Sequence, residues 1–338
     1  MKKKIYPLFF IAAMSLTACG SKNYGPSDYF VRSLKYRPGF KILQLTDIHM
    51  SDKDDQDLHY GFLKLLIEDA NKDEADPVDL IVVTGDLFTF ASRGTAETFF
   101  KFLDGYQIPW TVVFGNHDEQ TYFSVDWMTD YLNNFGSYCY FKDLQDDSVQ
   151  GNCNFAINIM DGATIHDQLI FMDSNRYSFY EQGYAGYDYF KNDQIKWYSD
   201  LVDFTTEQNG NNTVNSLMFY HIPLFEINDA YDKGTIVYDG PKGNGDGKRE
   251  DTCPPKYNSG FFDVIKDKGS TKAMFFGHDH INTFEADLDG VKFCYGIKST
   301  NRIYYDEDLL GYQTISIAND ANHTLTINRS FHKYSEVK

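Results

Sequence analysis

The sequence predicts an α/β fold with parallel strands in its first part and a β-rich tail. Two observations carry this. Short apolar runs alternate with segments whose apolar residues recur at helical spacing, and polar clusters follow several of those runs directly. The first such run is Lys41-Ile42-Leu43-Gln44-Leu45, followed by Thr46-Asp47. Tyr60 to Asn71 then places Phe62, Leu65, Leu66 and Ala70 on one helical face. Leu80 to Val83 is a β-branched strand ending at Thr84-Gly85-Asp86, and Thr98 to Leu103 reads as helix. Trp110 to Phe114 is a strand ending at Gly115-Asn116-His117-Asp118. Alternation of this kind builds a parallel sheet.

The pattern continues with strands at Phe155 to Ile159 and Leu169 to Met172, and with a helix over Asn192 to Phe204. Leu217 to Tyr220 is a strand running into His221, and Phe261 to Lys268 a helix. Ala273 to Phe276 ends in Gly277-His278-Asp279-His280. Val291 to Tyr295, Gln313 to Ile317 and Thr324 to Ile327 complete the tail. Glu226 to Tyr257, rich in Gly, Asp, Asn and Pro, reads as a long irregular excursion, either a rim over a site or an exposed loop. No internal repeat or low-complexity block interrupts the chain.

The chain has 338 residues, 42% of them hydrophobic and 17% aromatic, which is ample for a core. Its formal charge of -18 argues against nucleic acid as a partner, because that binding depends on Lys and Arg. Lys2, Lys3 and Lys4 precede an apolar run from Tyr6 to Leu16, the arrangement of a signal peptide and too short to cross a bilayer. Leu16-Thr17-Ala18-Cys19 resembles the lipobox of bacterial lipoproteins. That resemblance implies residues 1–18 as a cleaved signal, a lipid on Cys19 anchoring the protein to a membrane outside the cytoplasm, residues 19–39 as a tether, and a domain over 40–338. Cys139, Cys153, Cys253 and Cys294 would share that compartment. Sequence does not choose between disulfides, with Cys139 and Cys153 the nearest pair, and free thiols.

Five polar clusters share one position, directly after an apolar strand: Asp47-Ile48-His49, Gly85-Asp86, Gly115-Asn116-His117-Asp118, His221, and Gly277-His278-Asp279-His280. Ligands of α/β sheets bind beyond the carboxyl ends of strands, so the clusters can converge. Glycines before Asp86, Asn116 and His278 would allow sharp turns. Asp, Asn and His together suit Zn²⁺, Mn²⁺ or iron. There are too many donors for one tetrahedral ion, but enough for two ions sharing a carboxylate. Each cluster alone is weak, since a lone His or Gly-Asp is more often structural. The five in this order are not.

Order and spelling resemble the calcineurin-like metallophosphoesterases over roughly residues 40–300, in a branch related to purple acid phosphatases. The resemblance implies a two-sheet β-sandwich flanked by helices, with the metal site at the strand ends. It implies Asp47, His49 and His280 on one metal, Asn116, His221 and His278 on the other, and Asp86 as the bridge. His117 would be the catalytic histidine and Asp118 the acid that orients it. Asn258-Ser259-Gly260 and Asn282 add to the match. One departure stands out: three residues after Asp86, where purple acid phosphatases have a metal-ligating tyrosine, this chain has Thr89, which puts a ferric site in doubt.

The expected activity is hydrolysis of a small phosphate ester by a hydroxide shared between two divalent or mixed-valence ions. A phosphomonoesterase is favoured over a phosphodiesterase or nucleotide hydrolase. A reading of another class is a lipoprotein that binds metal or phosphate without catalysis. Arg176, Lys298 and Arg302 could reach a substrate phosphate or serve as structural cations. His59, His166, His323 and His332 read as surface or core residues.

Overall fold

The computed structural model describes residues 29–337, apart from 54, 144–147, 181–182, 239 and 242–244. Cys19 and the signal segment lie outside the described residues. The first half contains β1 (Phe30–Lys35), β2 (Phe40–Leu45), α1 (Gln56–Ala70), β3 (Leu80–Thr84), α2 (Arg93–Asp104), β4 (Trp110–Val113) and α3 (Val125–Asn133). Next come β5 (Phe155–Asp161), β6 (Thr164–Phe171), β7 (Tyr177–Tyr180), β8 (Gly183–Tyr187), α4 (Asn192–Gln208) and β9 (Asn215–Phe219). The chain continues with α5 (Ile227–Lys233), β10 (Thr235–Val237), α6 (Phe261–Lys268), β11 (Thr271–Phe276), β12 (Glu285–Leu288) and β13 (Val291–Tyr295). It closes with β14 (Gly311–Ile317) and β15 (Leu325–Phe331).

Two sheets result. One has five strands in the order β15-β14-β2-β3-β4, with β2, β3 and β4 parallel. The other has eight, in the order β1-β5-β6-β9-β11-β13-β12-β10, with β6, β9, β11 and β13 parallel. Side chains alternate across the eight-stranded sheet as the pleat requires. Phe155, Phe171, Phe219 and Phe275 point to the core shared with the five-stranded sheet and α1–α3. They stack in a row with ring centroids 4.7, 5.3 and 5.2 Å apart. Ile170, Met218, Met274 and Phe293 point the other way, onto α4 and α6. The mixed fold and flanking helices follow from this patterning. The helix starts are capped as their residues predict, Ser92 and Ser124 accepting backbone amides at the starts of α2 and α3.

Two expectations change, and one open alternative is decided. The tether over 19–39 is too long: Phe30–Lys35 is a strand, and β1 pairs in parallel with β5, burying Leu34 and Tyr36 behind it. Part of the 226–257 excursion is regular, since α5 packs there and β10 extends the sheet by pairing with β12. Cys139, Cys153, Cys253 and Cys294 are all free thiols; the first, second and fourth are buried, and burial pushes all four up.

Candidate metal centre

Parallel strands deliver the polar clusters to one end of the sandwich. Beyond β2 and β3 the two turns remain paired: Asp47 N–H donates to Gly85 O (3.2 Å), His49 N–H to Asp86 O (2.8 Å) and Met50 N–H to Leu87 O (2.9 Å). This pairing holds Asp47, His49 and Asp86 at φ 54°, 51° and 50°, and His278 after β11 sits at 81°. Left-handed backbone is costly for such residues, and its concentration here marks a site whose geometry is enforced by surrounding structure. Gly85 turns at φ 84° as glycine allows, and space adds to the requirement there and explains Gly115. A Cβ on Gly85 would fall 2.5 Å from the His221 ring, and one on Gly115 would collide with Asp86.

The first donor set is Asp47, His49, Asp86 and His280, whose ligand atoms all lie within 4.8 Å of one another. His49 Nε2 is 3.0 Å from His280 Nε2 and 3.5 Å from Asp86 Oδ2, and His280 Nε2 is 3.5 Å from Asp47 Oδ1. The opposite ring nitrogens are anchored. His49 Nδ1 bonds Thr89 Oγ1 (2.8 Å), and His280 Nδ1 donates to Tyr304 O (2.9 Å). His221 Nδ1 likewise donates to Thr84 O (2.8 Å). Holding Nδ1 in this way fixes the tautomer and turns the Nε2 lone pair inward.

The second set is defined by what its atoms lack. Asp86 Oδ2, Asn116 Oδ1, His221 Nε2 and His278 Nε2 are buried without a hydrogen-bond partner. Buried polar atoms almost always find partners, so four orphans on four converging residues ask for a ligand that accepts lone pairs. Asp86 joins the sets. Its Oδ1 accepts the His117 amide (2.8 Å), while Oδ2 lies 3.5 Å from His49 Nε2 and 3.3 Å from His221 Nε2. One oxygen therefore faces both groups. Two cations fit this donor chemistry, a mix of carboxylate, amide oxygen and imidazole.

Three of the four imidazoles are held neutral, whereas His221 is pushed up to about 9: burial opposes this, but Asp86, Asp47 and the bond to Thr84 O outweigh it, so a cation bound there must displace its proton. Burial pushes His49 and His280 well below the usual imidazole range, and His278 down to about 3, leaving them neutral as ligands must be. Burial opposes ionisation of Asp86 too, but His221 and His49 facing it hold its carboxyl well below the usual range.

Residues 40–282 match the family described as Calcineurin-like phosphoesterase. The chain belongs to this family. A related protein of Arabidopsis thaliana, named probable inactive purple acid phosphatase 29, is 27% identical over 76% of this chain and 71% of its own length. Phosphatase DCR2 of Saccharomyces cerevisiae is 27% identical over 76% of this chain and 47% of its own. A dimetal phosphatase from Danio rerio has the same fold, with a TM-score of 0.56, 13% identity, and coverage of 87% of this chain and 96% of its own. The protein is a phosphoesterase, a hydrolase acting on phosphate esters.

Around the phosphoesterase site two roles change. His117 is half-buried, and its Nδ1 bonds Gln120 Oε1 (2.8 Å), not Asp118. Asp118 instead accepts the amides of Phe88 (3.0 Å) and Gly115 (2.8 Å), stapling the turns after β3 and β4. Burial, with Asp86 nearby, raises its carboxyl to about 8. The reason is geometric: adjacent residues in a turn point apart, whereas residue i+3 returns to the same side. Thr89, read as an absence, is the anchor of His49. Tyr177 donates no metal ligand, but its hydroxyl accepts from Asn116 Nδ2 (2.8 Å). Asn282 accepts the amides of Arg249 (2.9 Å) and Glu250 (3.1 Å), holding the excursion against the site, and Asn258 accepts the Gly260 amide (2.7 Å) before α6.

Among the tentative cations, Lys298 is fully buried and donates to Asp47 O (2.8 Å), and Arg176 pairs with Glu119. Both are structural. His59 lies buried on α1, and His332 contacts Asp69. His166, Asp167 and His323 gather at the opposite end of the sandwich, a cluster invisible in sequence because His323 sits in the β14–β15 turn. No helix among the described residues is long and apolar enough to cross a membrane.

Proposed function

We propose that the protein is a phosphomonoesterase working with two metal ions, of which Asp47, His49 and His280 would hold one and Asn116, His221 and His278 the other, with Asp86 serving both. The observation that carries this is the set of four buried, unpartnered atoms on Asp86, Asn116, His221 and His278. Two such ions, when bound, supply an activated water and a clamp for the phosphate. The chain's own residues do the rest. Thr89, Thr84 and Tyr304 aim the imidazoles, and Asn116 is held by the Tyr177 hydroxyl. His117, with Nδ1 fixed by Gln120, presents Nε2 toward the ester oxygen, to which it gives a proton as the P–O bond breaks. Among the relatives, phosphatase DCR2 supports a phosphate-ester substrate.

The location belongs to the same proposal. Lys2, Lys3 and Lys4, the apolar run, and Leu16-Thr17-Ala18-Cys19 support a lipid on Cys19 and a catalytic domain outside the cytoplasm. The deciding experiment assays protein starting after Cys19 on an aryl phosphate monoester and the matching diester, with Mn²⁺, Zn²⁺ or chelator, beside His117→Ala. Metal-dependent monoester turnover, lost in the variant while metal content persists, is expected. Chelator-resistant turnover, or metal loss on replacing His117, would sink the scheme.

A further inference from the structure

Two apolar side chains beside the metal centre occupy backbone that such residues avoid. Ile303 has φ 67° and Phe90 has φ 53°, yet Ile303 is 52% and Phe90 56% exposed. A β-branched or bulky residue with positive φ is an outlier that surrounding structure must hold in place. Core burial does not compensate either of these two.

Their neighbours explain the placement. Phe90 follows Thr89, the anchor of His49, and its amide donates to Gln120 O (2.6 Å), the residue that holds His117. Ile303 precedes Tyr304, whose carbonyl anchors His280 and whose ring stacks on His280 at 4.1 Å. The rings of His117, His49, His280 and Tyr304 form a row with centroids 5.0, 4.9 and 4.1 Å apart. Phe90 belongs to one end of that row and Ile303 to the other. Tyr304 and the next residue, Tyr305, are each 44% exposed. On the far side, Tyr187 meets the His278 ring edge-on at 4.3 Å.

We infer that this rim binds the alcohol portion of the substrate, and that the preferred esters carry a flat, apolar leaving group such as an aryl group. The inference rests on the phosphoesterase reading of the same centre. Apolar rims gain by covering apolar area, and aromatic rims by ring contacts. Lys298 is spent on Asp47 O, Arg302 before Ile303 is half-buried, and the chain's charge of -18 disfavours multiply charged anions.

The test replaces Phe90 and Ile303 by glycine, singly and together. Glycine accepts the left-handed backbone, so only the side chains are lost. The readout is the ratio of kcat/KM for phenyl phosphate to that for glycerol phosphate, with the same metal loading. The ratio should fall about tenfold in the double variant, through KM for the aryl ester. An unchanged ratio would overturn the inference. Calorimetric binding of phenylphosphonate against methylphosphonate measures the same preference without turnover. If the wild type hydrolyses neither ester, the function proposed above fails, while this pair still decides the rim: the phenyl preference must exist and must drop in the variant.

Discussion

Thr89 shows how a single hydroxyl can matter to a metal that it never touches. It bonds His49 Nδ1 at 2.8 Å, and the His49 ring is wholly buried. Thr89→Val keeps the shape and removes the bond, so metal affinity should fall about 10- to 100-fold with folding intact, read by calorimetric titration of the metal-free protein. An unchanged affinity would mean packing alone aims the ring. Gln120 and Asp118 separate in the same way. Gln120→Ala frees the His117 ring and should lower kcat about tenfold, less than loss of a proton donor itself, with metal content unchanged. Asp118→Ala strips the acceptor from two buried amides and should destabilise the fold by about 1–3 kcal/mol, seen as a lower Tm. If Asp118→Ala instead kept its Tm and lost only kcat, the orienting role would return to Asp118. At this scale the donors were legible because each follows an apolar strand. Their anchors were not: Tyr304 reaches His280 across a loop, and Gln120 reaches His117 within a turn whose geometry no residue type announces.

At the level of elements, long apolar patterns read true. The α6 helix was predicted at its observed bounds, and β2, β3, β4 and β13 within a residue. The missed elements differ. Helix α3 carries such a pattern, with Val125, Met128 and Leu132 buried at helical spacing, and was legible; the β7–β8 hairpin, Tyr177–Tyr180 with Gly183–Tyr187, was not, because it stands beside the site and not over a core. Joints between elements are also silent in sequence. Asp69, near the end of α1, accepts from Tyr312 Oη of β14 (2.6 Å) and from Lys72 Nζ (3.0 Å), and meets His332 Nε2 beyond β15 at 3.3 Å. Burial opposes its ionisation, but the Tyr312 and Lys72 bonds outweigh that and hold the carboxyl below its ordinary 3.8. A depressed carboxylate stabilises the fold above the unfolded value and loses that contribution as pH falls through the folded one. Asp69→Asn should therefore lower Tm at pH 6, and the gap to wild type should close only below pH 3.8. A gap independent of pH would assign the effect to shape, not charge.

For the whole molecule, the folded domain begins earlier in the chain than composition suggested. Residues 20–39 lack periodicity, yet β1 completes the eight-stranded sheet, pairing Ser33 with Asn158 and Leu34 with Ile159. Tyr29 stacks on Phe204 at 5.2 Å and, with Leu34 and Tyr36, is buried. A six-residue polar-apolar mixture on an edge carries little signal, because its partner strand lies more than a hundred residues away. Truncation tests the boundary directly. A chain starting at Tyr29 keeps β1, whereas one starting at Pro38 uncovers the β5 edge and loses the three buried side chains of Tyr29, Leu34 and Tyr36, each worth about 1.5–3 kcal/mol. The shorter chain should melt at lower temperature and self-associate with rising concentration, because an unpaired edge recruits other strands. If both chains melt together and stay monomeric, β1 is an appendage and the domain begins at Phe40.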